Sequence, residues 1–248
     1  MSLIAITLAI AAGAAMGLFG AGGSLFLVPA LTYVMSFEAK QAVTISLAVV
    51  GMSAFAGAVA GYLKGTLPLR PAIVTGTGTI VGAFLGSIVG AGLDDGVQLT
   101  MLGCITLAAA AILTWQSASP RSKRLVESVS SRAVLMAAAG LGVGFITGLV
   151  GVGGGFLIVP ALVTVAGLEM REAASVSLFV IVLATLSALT GYAGRVPFSW
   201  GFVAPFAMVA TLATVAGGIA RHSMSQRLLQ RMFAGALVVV AAFLLIRN

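Results

Sequence analysis

The sequence predicts an all-α integral membrane protein, a polytopic bundle of about eight hydrophobic segments built from two homologous repeats. Three observations carry this. The first is composition: 60% of the 248 residues are hydrophobic and only 8% are charged, against about 25% charged in a soluble domain. Mean hydropathy is +1.17. The second is the run of charge-free stretches, 1–37, 41–63, 71–93, 96–120, 133–168, 173–194, 196–220 and 232–246, most of them near the roughly 20 apolar residues that a bilayer span needs. The third is an internal repeat. Gly17–Leu31, GLFGAGGSLFLVPAL, returns 131 residues later as Gly148–Leu162, GLVGVGGGFLIVPAL, with nine of fifteen positions identical. The register runs without a gap to Val49 and Val180, with fifteen identities in 33. Duplicated apolar units interrupted by glycine are typical of secondary transporters.

Hydrophobic segments fall at about 3–35, 42–63, 71–93, 97–116, 133–167, 173–194, 202–220 and 231–246. Helix is the default for each, because lipid offers no partner to an open backbone. Segments 3–35 and 133–167 are too long for one ordinary span and too short for two. Each is broken in the middle by glycines, Gly17, Gly20, Gly22 and Gly23 in one and Gly148, Gly151, Gly153, Gly154 and Gly155 in the other, and Pro29 and Pro160 follow. Such a segment is either one broken crossing helix or a re-entrant hairpin. The pairs Gly57 and Gly61, Gly82 and Gly86, and Gly86 and Gly90 have the small-xxx-small spacing of close helix packing. The polar stretch Gln116–Arg132, QSASPRSKRLVESVSSR, reads as a linker. The expected organisation is a first repeat over 1–116, a basic cytoplasmic linker over 117–132 and a second repeat over 133–248.

Positive charge favours the hairpin. If the broken segments cross, the 13 basic residues divide 8 to 5 between the two sides; if they re-enter, the division is 10 to 3. The larger group then includes Lys64, Arg70, Lys123 and Arg124, and is cytoplasmic by the positive-inside rule. Lys40, Arg195 and Arg247 lie outside together with both ends of the chain. Three full crossings per repeat make the halves inverted. The N-terminal stretch lacks the basic n-region of a cleaved signal peptide.

The net charge of +7 sits in short loops, where it sets topology and meets anionic lipid, so nucleic acid is not an expected partner. Cys104 is the single cysteine and His222 the single histidine, which leaves neither a disulfide nor a metal cluster to expect. No cofactor is expected. No Asp, Glu, Lys or His lies deep in a span, which disfavours a carboxylate or histidine proton relay. No nucleophile–base set or paired carboxylates suggest an enzyme.

The candidate substrate site is therefore built from neutral donors. Gly20, Gly22, Gly23 and Ser24 in the first half, and Gly151, Gly153, Gly154 and Gly155 in the second, form loops ahead of a new helix. Backbone N–H groups at a helix N-terminus suit an anion, although glycines at a bend also serve packing alone. Thr44 and Ser46, matched by Ser175 and Ser177, open the following helix and can bond either a ligand or their own backbone. Glu38 with Lys40, and Glu169 with Arg171, are candidate gating or loop ion pairs. Lys64, in GYLKGTLP (61–68), and Arg195, in GYAGRVP (191–197), could attract an anion or act as snorkelling anchors.

The doubled motif G-L-x-G-x-G-G-x-x-x-x-V-P-A-L, followed by QAVTISL (41–47) and EAASVSL (172–178), resembles the TauE/SafE family of membrane transporters, the sulfite exporters, grouped with 4-toluene sulfonate uptake permeases. The resemblance spans essentially the whole chain. It implies a multi-pass cytoplasmic-membrane carrier of a small anion such as sulfite, a sulfonate or a related organosulfur compound. An anion channel, or a carrier of another small organic anion, is the alternative. Its partners are the anion and the lipid bilayer, and homo-oligomerisation stays open. Ser24 stands where the second repeat has Gly155, which places an extra hydroxyl in the first motif.

Overall fold

In a computed structural model the described residues are 3–19, 27–118, 129–151, 154–192, 196 and 200–220, with isolated positions between 224 and 238. Among them all regular structure is helical. The elements are α1 (Leu3–Phe19), a π-helical turn at Ala30–Val34, α2 (Ala39–Leu63), α3 (Leu69–Gly92), α4 (Asp95–Ala118), α5 (Val129–Val150), α6 (Gly155–Ala161), a second π-helical turn at Leu162–Ala166, α7 (Met170–Tyr192) and α8 (Trp200–Ala220). Stretches 39–63, 69–92, 132–150, 171–192 and 200–220 are long and apolar enough to cross a membrane. Apart from isolated positions, the eighth expected segment, 231–246, lies outside the described residues, as does most of the linker.

The surface is apolar and the interior carries the hydroxyls. On α3, Ile73, Val81, Phe84, Leu85 and Val89 are exposed while Thr75, Thr79 and Ser87 are buried. On α8, Met208, Leu212 and Ile219 point outward and Thr214 inward. Water would oppose this arrangement; hydrocarbon favours it, because small hydroxyl residues then bond back to their own helix. Thr79 donates to the Thr75 carbonyl at 2.8 Å and Thr214 to the Ala210 carbonyl at 2.8 Å. Tyr62 and Trp200, at helix ends, are exposed, as expected of rings at the headgroup level.

The repeat persists in three dimensions. α7 begins 131 residues after α2, and α8 begins 131 residues after α3. The π-helical turns follow Pro29 and Pro160, where the missing proline N–H loosens the helical ladder. Each ends on an equivalent long bond, from the Phe37 N–H to the Leu31 carbonyl (3.1 Å) and from the Leu168 N–H to the Leu162 carbonyl (3.4 Å). Ser36 has a φ of 60°, and Gly167, its counterpart, has 66°.

Packing between the halves repeats with the halves exchanged. Gly13 and Gly17 of α1 abut the carbonyls of Ala210 and Thr214 on α8. Gly144 and Gly148 of α5 abut the carbonyls of Thr79 and Ala83 on α3, the same pairs shifted by one repeat. The small-xxx-small glycines take their expected part: Gly82 and Gly86 face the carbonyls of Leu141 and Phe145 on α5.

These contacts also give helix directions. Partner numbers rise together between α1 and α8 and between α3 and α5, so each pair is parallel. Phe37 stacks near Phe202, and Ser53 lies 3.4 Å from Thr211, so α2 runs parallel to α8 as well. In contrast, Gly51, Gly57 and Gly61 of α2 meet Thr185, Leu178 and Ser175 of α7 in descending order, so the central pair is antiparallel. With α1 and α2 both parallel to α8, the chain between them must double back. In the second half, α6 and the following turn double back between α5 and α7. In the second half the broken segment has a long arm, α5, and a short arm, α6; the glycine bend of the first half lies outside the described residues.

Candidate functional site

The bend of the second half meets the first half. In the second half α5 ends at Val150, and Gly151 has a φ of 75°. Its N–H caps the Thr147 carbonyl at 2.8 Å. Its α-carbon lies so close to Val43 of α2 that a Cβ would overlap the valine side chain. Gly154 precedes α6 with a φ of 57°, and its carbonyl accepts from Leu157 and Ile158. Gly155, the first residue of α6, is buried. Gly20, Gly22, Gly23, Ser24 and Gly153 lie outside the described residues.

The hydroxyls divide into two groups. Thr44 and Ser46 belong to the start of α2, where Val43 meets Gly151. Thr44 is buried and donates to the Lys40 carbonyl at 2.9 Å. Ser46 is fully buried, and its Oγ has no hydrogen-bond partner. It lies three residues after Val43, on the same helix face. Ser175 and Ser177 open α7. Ser175 bonds the Arg171 carbonyl at 3.1 Å and the Thr66 hydroxyl at 3.0 Å. Ser177 bonds the Ala174 carbonyl at 3.2 Å.

The sequence treats these four hydroxyls and both glycine clusters as one site; among the described residues, Ser46 and Ser175 lie far apart along α2. Ser175 sits beside Gly61, fifteen residues along α2 from Ser46. At 1.5 Å per residue that is roughly 22 Å. The physical reason is the antiparallel packing of α2 on α7, which puts their starts at opposite ends. Thr44 and Ser46 thus lie on the part of α2 whose Val43 meets Gly151 of the second half.

Of the suggested ion pairs, the one between Glu38 and Lys40 is not formed. Glu38 precedes α2 without a side-chain cap. Lys40 follows on the first turn, and no ion pair joins the two. Two residues apart on a helix start, they point in different directions. The Glu169 N–H instead donates to the Glu172 carboxylate at 3.3 Å. Arg171 contributes its carbonyl to Ser175.

A polar cluster that the sequence reading missed braces the second bend. Gln98 of α4 is buried and donates through Nε2 to the Leu149 carbonyl (2.6 Å) and the Tyr192 hydroxyl (3.1 Å). Tyr192 donates to the Gly148 carbonyl at 3.1 Å. These are among the last carbonyls of α5, which have no partner within the helix. The cluster ties α4, α5 and α7 together where the hairpin turns. Its signal in the sequence was Gln98, an amide one position inside a hydrophobic segment.

A cavity of about 120 Å³ lies at the other end of α2, lined by Gly17, Gly57, Gly61, Lys64, Thr66 and Thr214 among others. A larger apolar recess of about 420 Å³ runs along α1 and the short arm of the first hairpin, past Leu8, Ala15, Leu18, Leu27 and Ala30. No group of three or more metal-ligating side chains occurs among the described residues.

Lipid-facing helices around a core of hydroxyls and broken hairpins define a polytopic membrane protein of the transporter type. The family model described as Sulfite exporter TauE/SafE matches residues 5–244. The chain belongs to that family. It is similar to a "Probable membrane transporter protein" of Xylella fastidiosa (strain Temecula1 / ATCC 700964), 31% identical, with 95% of this chain and 92% of the relative covered. A protein of the same description from strain 9a5c is 30% identical over the same shares. A "Probable membrane transporter protein YdhB" of Bacillus subtilis (strain 168) is 24% identical, covering 73% of this chain and 74% of the relative. No solved structure matches significantly. The protein is thus a multi-pass membrane transporter of the cell membrane.

Proposed function

We propose that the protein is a secondary transporter of a small anion, sulfite, a sulfonate or a related organosulfur compound, and that the bend at Gly151–Gly155 with Ser46 is a binding element for it. The observation that carries this is the Ser46 hydroxyl, fully buried and without a partner. Buried polar groups are almost always satisfied, and an orphan in a native site points to a water or ligand. Its setting suits an anion. Glycine brings backbone N–H groups close, α6 starts there, and neutral donors avoid the cost of a charged side chain in hydrocarbon. Ser175 and Thr66 form the counterpart at the opposite end.

The two halves, 1–116 and 133–248, are inverted across the membrane around the basic cytoplasmic linker. The antiparallel packing of the equivalent helices α2 and α7 supports this, because it relates the halves by an axis perpendicular to both. One binding element then faces each side, which suits alternating access. Single cysteines on a Cys104-free background test the topology. The equivalent positions 40 and 171 should label with an impermeant maleimide from opposite sides, and labelling from the same side excludes inversion.

Flux into proteoliposomes across sulfite, sulfate, thiosulfate, sulfonates and carboxylates tests the substrate class. Ser46→Ala should weaken binding of the transported anion by roughly 1–2 kcal/mol, since a hydrogen bond to a charged group is worth about 1.5–3 kcal/mol. Ser46→Asp should stop anion flux by repulsion. Cation flux enhanced by Ser46→Asp would overturn the anion assignment.

A further inference from the structure

Among the described residues, Lys64 is the only charged side chain lining the cavity between α1, α2, α7 and α8. It directly follows the last residue of α2, and its backbone N–H closes that helix on the Ala60 carbonyl at 3.1 Å. The walls are otherwise small or apolar: Gly17, Gly57, Ala60, Gly61, Gly218, Leu178, Val215 and Ile219. Two hydroxyls, those of Thr66 and Thr214, complete the lining. Thr66 donates to the Gly61 carbonyl at 3.1 Å and is 3.0 Å from the Ser175 hydroxyl. Thr214 is committed to its own helix.

The cavity volume, about 120 Å³, is several times what one water needs and admits one small oxyanion with some of its hydration. Its position is as informative as its size. Gly17 opens the repeated motif, so the cavity reaches the end of α1 where that motif begins. Thr66 links it to Ser175, the hydroxyl that the other half presents at this end. Shifted by one repeat, Lys64 falls on Arg195. Both halves therefore carry a cation at the same place in the sequence, directly beyond a central helix, although the surroundings of Arg195 lie outside the described residues.

We propose that this cavity is an anion vestibule on the cytoplasmic side, in which the Lys64 ammonium holds the oxyanion and hands it to the hydroxyls of Thr66 and Ser175 at the first bend. This rests on the reading of the protein as an anion carrier and adds the residue that concentrates the substrate. A lysine at the rim is hydrated and flexible. It can follow the anion without the desolvation that a charge at mid-membrane would suffer, and a lone cation in a low-dielectric mouth raises the local anion concentration.

A phosphate headgroup of the cytoplasmic leaflet offers the same chemistry, so the test has a lipid arm. Uptake and efflux of the transported anion are measured for wild type, Lys64→Arg, Lys64→Gln and Lys64→Glu, in vesicles of phosphatidylcholine alone and with phosphatidylglycerol. Lys64→Gln is expected to raise KM on the cytoplasmic side about ten-fold with little change in maximal rate. Lys64→Glu should raise it further, and Lys64→Arg should restore it. The wild-type KM should rise with ionic strength more steeply than that of Lys64→Gln. A second readout is independent of flux: Thr66→Cys on a Cys104-free background that keeps Lys64 should react faster with an anionic than with a cationic methanethiosulfonate, the added change Lys64→Gln should remove that preference, and the transported anion should slow the reaction. An unchanged KM in Lys64→Gln overturns the vestibule while leaving wild-type anion flux, and hence the carrier reading, intact. A KM effect seen only with phosphatidylglycerol assigns the charge to a lipid headgroup and also overturns it. Absence of anion flux in the wild type rejects the carrier reading itself.

Discussion

Gly151→Val is expected to abolish transport while the protein still inserts in the membrane. Two penalties coincide at this position. The backbone φ of 75° is one that a β-branched residue almost never adopts, and holding it there costs on the order of 1–3 kcal/mol. The new Cβ also overlaps the Val43 side chain of α2, which is itself fixed in the buried core. Relaxation pushes the bend away from Val43 and α2. The two penalties can be partly parted. Gly151→Ala combined with Val43→Ala removes the overlap with the two valine methyls, leaves the one with the Val43 Cβ and keeps the strained φ, so it should recover part of the flux. Gly151→Ala alone should recover much less. Measurement is by proteoliposome flux at matched reconstitution, with size-exclusion profiles as the folding control. Full activity of Gly151→Val would remove this bend from the transport mechanism.

The second large effect concerns stability. Replacing Gly82 or Gly86 by leucine should leave the protein unable to fold into a monodisperse species in detergent. At these positions a Cβ would meet the carbonyl oxygens of Leu141 and Phe145. Overpacking against side chains typically costs 1–3 kcal/mol because rotamers can yield; here the obstacle is the backbone of a neighbouring helix, so the whole of α5 must move. The interface is reciprocal, since Gly140, Gly144 and Gly148 of α5 face the carbonyls of Thr75, Thr79 and Ala83. Displacing α5 would also pull the Leu149 carbonyl from Gln98 and the Gly148 carbonyl from Tyr192. Gly142 is the control, being on the same helix with open space around its α-carbon. Gly142→Ala should be neutral or should stabilise by up to about 1 kcal/mol through helix propensity. Thermal melting followed by fluorescence-detected size exclusion distinguishes the two. A normal melting profile for Gly82→Leu would show that the two helices are not held at this distance.

Much of the architecture is legible in the residues because lipid leaves the chain few choices. Charge-free stretches must be helical, so the spans over 39–63, 69–92 and 200–220 follow from composition and length. The glycine spacing at Gly82, Gly86 and Gly90 announces a helix–helix seam, although not its partner. The duplicated motif announces equivalent bends in the two halves, and their equivalence extends to a detail the sequence only hints at: Ser36 and Gly167 share a left-handed φ although only one of them is glycine.

What the sequence by itself determined is the solvent, the secondary structure, the duplication and the family, all of which depend on local composition and on matching segments. The tertiary structure decided which residues meet. Periodicity within a helix cannot say that α2 packs antiparallel on α7, and that single choice separates Ser46 from Ser175. Nor can it show that Gln98, an isolated amide in α4, reaches the last carbonyls of α5, or that Lys64 stands over a cavity and not simply at a membrane surface. Thr44, Ser46, Ser175 and Ser177 look alike in the repeat. Only the fold leaves Ser46 buried without a partner, because whether a hydroxyl is satisfied depends on the neighbours that packing brings, and those neighbours are far away in the chain.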